Sequence, residues 1–136
     1  MRHEIINPTS LGAPVGYANG VLAAPGRLLF VAGQIGWGRD QKLVAEEFVL
    51  QFEQALFNLL EVVRAAGGLP EHVCRLTIYV TNKKSYLKHV KAVGKAYRAA
   101  MGRHYPAMSL VEVADLLEPG AKVEIEATAV IPEGRR

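Results

Sequence analysis

The chain has 136 residues, half of them hydrophobic and 21% charged. That suits one domain, residues 1–136, with a core that needs no disulfide. Cys74 is the sole cysteine, which rules out an intrachain disulfide and fits a reducing cytoplasm. No apolar run reaches membrane-spanning length, and MRHEIINPTS at the N-terminus lacks the apolar stretch of an export signal. The net charge of +3 is a weak pointer to nucleic acid, because placement of charge matters more than its sum.

In chain order, residues 15–24, VGYANGVLAA, alternate loosely and meet the turn dipeptide Pro25-Gly26. The apolar run LLFVAG at 28–33 follows, and the two stretches together predict a β-hairpin. GWGRD at 36–40 reads as a loop made flexible by its glycines. Residues 46–66 predict a helix, with Phe48, Phe52, Leu56, Leu59, Leu60 and Val63 on one face. Gly67-Gly68 stops it, with Pro70 just beyond.

Residues 73–81, VCRLTIYVT, are β-branched and aromatic and predict a strand. Residues 84–101 predict a second helix with Tyr86, Val90, Val93, Tyr97 and Met101 inward and Gly102 as its stop. Residues 109–114 and 122–131 predict two further strands, joined across Pro119-Gly120. The order ββαβαββ, with hairpins opening and closing the chain, predicts an α+β domain: a mixed sheet with both helices on one face. So short a chain has no third layer for the other face. Another subunit is the expected cover.

VEIEATAV at 123–130 places two carboxylates on one side of an apolar strand. Val123, Ile125, Ala127 and Ala129 share one face, and Glu124, Glu126 and Thr128 share the other. On residue type alone such a pair faces solvent or pairs with Lys122 or an arginine.

Several short stretches in fixed order resemble the RidA family, also called YjgF or L-PSP. They are INP at 6–8, Gly16-Tyr17, VAGQIG at 31–36, QFEQALFNL at 51–59 with its Asn58, VCRLTIYVT, Pro106-Ala107 and VEIEATAV. The resemblance covers nearly the whole chain. It implies a chorismate-mutase-like subunit and a homotrimer whose sheets pack around a central core, with a ligand cleft at each subunit interface. It implies hydrolysis of reactive enamines and imines, such as 2-aminoacrylate, to keto acids and ammonia, with no metal and no organic cofactor. It also implies that Glu124 positions water or moves a proton, work that a carboxylate in a partly dry cleft can do near neutrality. It gives Glu126 no such role.

One departure from the family pattern bears on the substrate. The deaminase branch follows Pro-Ala with an arginine that clamps the substrate carboxylate, a task suited to a guanidinium fork. This chain has Met108 there, an apolar thioether that cannot hold an anion. Ala32 replaces a serine and Leu110 a cysteine, and Gly94 stands near an asparagine position; Tyr17, Gly33 and Glu124 remain. The expected site is therefore Glu124 as the catalytic group, with Tyr17, the Gly33 backbone, Met108 and Leu110 around a substrate less anionic than 2-aminoacrylate. Arg103, His104, Arg75 and Arg39 are the candidate cations to replace the missing arginine, and sequence alone places none of them. His104 reads first as a surface or loop-packing residue.

Cys74, early in an apolar strand, reads as a buried, inert thiol. Trp37, between two glycines, suits either a loop over a ligand cleft or a subunit seam. Lys84, Lys88, Lys91, Lys95 and Arg98 form a basic stripe on the second helix. It reads first as a solvated outer face and, as an alternative, as a phosphate-backbone site of an RNA-binding or RNA-cutting protein. A non-catalytic trimer that binds small ligands is the third possibility. The scattered histidines, 3, 72, 89 and 104, offer no zinc spacing.

Overall fold

A computed structural model of the chain describes residues 2–133. The strands are β1 (Glu4–Ile6), β2 (Gly20–Leu22), β3 (Gly26–Ile35), β4 (Val73–Val80), β5 (Ala107–Glu112) and β6 (Val123–Pro132). The helices are α1 (Phe48–Ala65), α2 (Lys83–Lys88) and α3 (Val90–Met101). β1 and β2 form a small antiparallel pair. The main sheet has the order β3-β6-β4-β5, with β4 and β5 parallel and the other neighbours antiparallel. The mixed α+β architecture, with helices on one sheet face, is the one expected.

β6 is central because it has the most apolar surface to bury. Val123, Ile125, Ala127, Ala129 and Ile131 are all buried on the helix side. Leu76, Ile78 and Val80 of β4 join them, against Phe52, Leu56, Leu59, Leu60 and Val63 of α1 and Val93, Tyr97 and Met101 of α3. Each fully buried aliphatic or aromatic side chain contributes roughly 1.5–3 kcal/mol, so this layer dominates the stability.

Both expected hairpins are corrected. Residues 20–22 pair with 4–6, a strand absent from the sequence reading, and β3 pairs with β6 instead. Three-residue β2 cannot satisfy the ladder of a ten-residue strand, whereas β6 is also ten residues long. β5 and β6 are not neighbours either, since β6 inserts between β3 and β4. β5, with Ser109 and Glu112 exposed, suits the sheet edge better than the centre. It reaches β4 through the α2–α3 crossover that parallel pairing requires.

The second expected helix is two helices. The break falls at His89, whose φ of −108° and ψ of 17° leave the helical region and whose Nδ1 lies 2.7 Å from the Ser85 carbonyl. The break turns the following face. Val90, expected inward, is exposed, while Val93, Tyr97 and Met101 are buried as expected.

Candidate functional site

Glu124 lies on the open face of the sheet, opposite Ile35 of β3 and Tyr79 of β4. The β3–β6 register breaks between Val31 and Gln34, a bulge that contains Gly33. A Cβ on Gly33 would fall 2.7 Å from Cδ and 2.9 Å from Cγ of Glu124. The absent side chain is thus the space that the Glu124 side chain occupies.

The two carboxylates differ in their commitments. Glu126 accepts a hydrogen bond from the Tyr79 hydroxyl, which raises the Tyr79 pKa above the usual phenol value. Glu124 is half-buried and makes no hydrogen bond or ion pair among the described residues. Its oxygens are free to act on something else. Neither carboxylate pairs with Lys122 or an arginine there, since the one ion pair among the described residues joins Arg64 to Glu61.

Two amides of α1 hold this end of the sheet. Gln51, fully buried, donates through Nε2 to the carbonyls of Ala45 at 3.0 Å and Gly120 at 3.1 Å. Its Oε1 accepts from the Lys122 amide at 2.8 Å, one residue before β6 begins. Asn58 donates to the Ile35 and Trp37 carbonyls at 3.1 and 2.8 Å, fixing the chain as it leaves β3. The sequence reading assigned no role to either. Its available signal was Gln51 itself, a polar residue on the apolar stripe between Phe48 and Ala55.

Tyr17 lies elsewhere. Ala18 bridges to Ala107 at the start of β5, and its amide donates to the Pro106 carbonyl at 3.0 Å. Tyr17, 42% exposed, shares a hollow with Asn19, Arg75, Met108 and Ser109. Met108 and Leu110 stand opposite Leu76 and Ile78 of β4 and rest against the helix-side core. Met108 therefore both borders the Tyr17 hollow and touches the core. Leu110 does not line that hollow.

One chain does not gather the five expected residues. Gly33 meets Glu124, and Tyr17 meets Met108, but the two groups are apart. Glu124 is level with Tyr79, and Tyr79 with Val111. Met108 lies three residues further along β5 and two strands over, about 10 Å in each direction at ordinary sheet spacings. Its side chain also rests on the opposite face.

The candidate cations separate likewise. Arg75 lines the Tyr17 hollow, and Arg103 and His104 line a neighbouring one that also includes Tyr17. Arg39 is exposed on the loop after β3. His104 Nε2 lies 2.7 Å from the Val73 carbonyl, a loop-packing contact. Gly94 is on α3 beneath the Arg98 guanidinium, 3.2 Å from where its Cβ would be. Cys74 is half-buried, and burial pushes its thiol pKa up, so the thiol stays protonated near neutrality. Trp37 is half-buried in a loop closed by its bridge to Leu43. The five residues of the basic stripe are all exposed. On the open sheet face Phe30 is 73%, Leu28 58% and Val111 43% exposed.

The family model described as Endoribonuclease L-PSP matches residues 8–131. The chain belongs to this family, the Rid (YjgF/L-PSP) proteins. This Rid-family chain is 32% identical to Protein DfrA of Myxococcus xanthus over 94% of its own length and 92% of the relative's. It is 31% identical to the 2-iminobutanoate/2-iminopropanoate deaminase of Capra hircus, over 93% of its own length and 89% of that enzyme. Among solved structures, the Yersinia pestis protein YyfB of the conserved Rid family superposes with a TM-score of 0.87 at 34% identity, covering 96% of this chain and 100% of that one. No helix among the described residues is long and apolar enough to cross a membrane.

Proposed function

We propose that this Rid-family protein is a cytoplasmic hydrolase that converts imines or enamines to the carbonyl compound and ammonia, at a cleft completed between copies of the chain in a homotrimer. The observation that carries the reading is the uncommitted carboxylate of Glu124, seated against Gly33 at a distance from Tyr17 and Met108. A site built from both groups needs Glu124 of one copy beside Tyr17 of another. The exposed Phe30, Leu28 and Val111 support assembly, because an apolar sheet face of this kind is stabilised by cover. Relatives named as imine deaminases support the reaction class.

In this reading Glu124 accepts a proton from water as the water oxygen adds to the imine carbon. Glu124 passes that proton to the nitrogen of the former C=N bond, giving the carbinolamine. It then takes the carbinolamine hydroxyl proton as C=O forms and gives it to the departing nitrogen, which leaves as ammonia. Tyr17 and the Gly33 backbone line the cleft, Met108 borders it, and Leu110 supports β5 from the core side. Met108 brings no charge to meet a carboxylate beside the reacting carbon, which favours a substrate less anionic there than 2-aminoacrylate.

The test is a coupled assay that generates imines from several amino acids and amines, with light scattering for the assembly. Hydrolysis lost in Glu124→Gln supports the reading. A stable monomer contradicts the cleft. If wild type matches buffer on every imine, a non-catalytic ligand-binding trimer replaces the enzyme. Salt-sensitive RNA binding abolished by replacing Lys88, Lys91 and Lys95 with Glu would favour the nucleic-acid alternative.

A further inference from the structure

Two hollows adjoin at the end of the sheet where Tyr17 lies. One, of about 560 Å3, is lined by residues that include Arg2, His3, Glu71, Arg103 and His104. The other, of about 520 Å3, includes Asn7, Tyr17, Arg103, His104 and Tyr105. They share Ile5, Arg103 and His104, and the second shares Tyr17 with the smaller hollow at Met108. A groove therefore runs from Met108 past Tyr17 to Arg103 and Arg2. Glu71 is the one carboxylate along it. Neither Arg2 nor Arg103 is in an ion pair among the described residues.

Arg103 is presented by anchored backbone, and Arg2 adjoins the anchored His3. Gly102, with φ +65°, turns the chain out of α3, and its amide donates to the Arg98 carbonyl at 2.9 Å. After Arg103 the chain is clamped again. The Tyr97 hydroxyl donates to the His104 carbonyl at 2.7 Å, the His104 ring contacts the Val73 carbonyl, and Tyr97 stacks on Tyr105 at 5.1 Å. Arg2 precedes His3, whose Nδ1 accepts from the Ala24 amide at 2.9 Å. That leaves Nε2 as the donor to the Val130 carbonyl, also at 2.9 Å. β1 then pairs with β2. Arginines carried on pinned chain lose less freedom when they bind, and a guanidinium matches carboxylate and phosphate oxygens two at a time.

We propose that the ligand of this protein carries an anionic group, a carboxylate or phosphate, remote from its reacting end, and that Arg103 with Arg2 receives it. This rests on placing Tyr17 in the cleft, and it adds a substrate class to that reading. Met108 brings no charge to the near end, where Arg75 is the one cation lining the hollow, while the groove supplies two further guanidiniums at the far end. The ligand is then an elongated amine-derived imine with a terminal acid, rather than a compact α-imino acid.

The test uses the assembled wild-type protein with Arg103→Gln, Arg103→Lys and Arg2→Gln. An amine oxidase generates 4-iminobutanoate, which bears the distal carboxylate, and butan-1-imine, which does not. The expected result is a kcat/KM at least tenfold higher for 4-iminobutanoate. Arg103→Gln should lower that value about tenfold, act mainly through KM, and leave butan-1-imine within twofold; Arg103→Lys should recover part of the loss. Equal rates on the two imines, or an equal loss on both in Arg103→Gln, would overturn the proposal while leaving the hydrolase reading intact. Calorimetric titration with inorganic pyrophosphate reads the groove without catalysis. Binding weakened about tenfold in Arg103→Gln and in Arg2→Gln supports the anion site even if neither imine is hydrolysed, and no wild-type binding at low salt overturns it.

Discussion

Glu124 occupies the space that a side chain at Gly33 would fill, with its Cδ and Cγ within 3 Å of where that Cβ would be. The two residues belong to different strands, and the β3 bulge brings them together. Gly33→Ala should therefore displace the Glu124 side chain and leave the backbone in place, because the atoms in the way are the far end of a flexible side chain. Alanine also removes the entropy cost of a strand glycine, so stability should hold within about 1 kcal/mol. Imine hydrolysis should fall by about tenfold or more. A full-activity Gly33→Ala protein would separate Gly33 from the chemistry.

Gln51 satisfies the Ala45 and Gly120 carbonyls and the Lys122 amide from a fully buried position. Gln51→Leu keeps the volume and strands these polar groups, each worth about 1–3 kcal/mol when left unpaired. The expected destabilisation is about 3 kcal/mol, read by urea denaturation at fixed protomer concentration. A loss under about 1 kcal/mol would show that water replaces the amide.

Tyr79 should ionise above the usual phenol value of about 10, because its hydroxyl donates to Glu126. A raised folded-state pKa means that the stabilisation is present below the unfolded value and is lost as pH rises through the folded one. Ultraviolet titration, corrected by subtraction of Tyr79→Phe, isolates this residue from Tyr97, which burial also shifts upward. In Glu126→Gln the Tyr79 titration should move back down; an unchanged curve would remove Glu126 as its cause.

Met108→Arg places a guanidinium at the border of the Tyr17 hollow. β5 is a sheet edge, so the long stem can lie along the core while the charged end reaches out. Activity on 2-aminoacrylate should rise by about tenfold or more, the scale of a charge-assisted contact. Wild-type activity on 2-aminoacrylate equal to that of the variant would show that the missing arginine does not limit the substrate.

The layer arrangement was legible because its signals are local. The apolar stripe of 48–63 and the alternation of 123–131 each fix a face, and Gly67-Gly68 and Gly102 mark helix ends. Strand pairing was not legible. Pro25-Gly26 looks like a hairpin turn, but which strands then pair depends on lengths and on competition for the sheet centre, both properties of the whole chain. The site was partly legible. VEIEATAV marked Glu124, and VAGQIG marked Gly33, yet their contact arises from a bulge that alternation does not reveal. The distance between Glu124 and Met108 follows from strand order, so it lay beyond motif spacing.

The central claim is that Glu124 of one copy works beside Tyr17 of another. Mixing Glu124→Gln and Tyr17→Phe, each expected to be inactive alone, tests it most directly. They are unfolded together in equal amounts, refolded as mixed assemblies, and assayed on an imine that wild type hydrolyses. A cleft shared between copies predicts recovery of about a quarter of wild-type activity, the fraction of interfaces that pair an intact Glu124 with an intact Tyr17. Mixed assemblies as inactive as either variant alone would contradict the account.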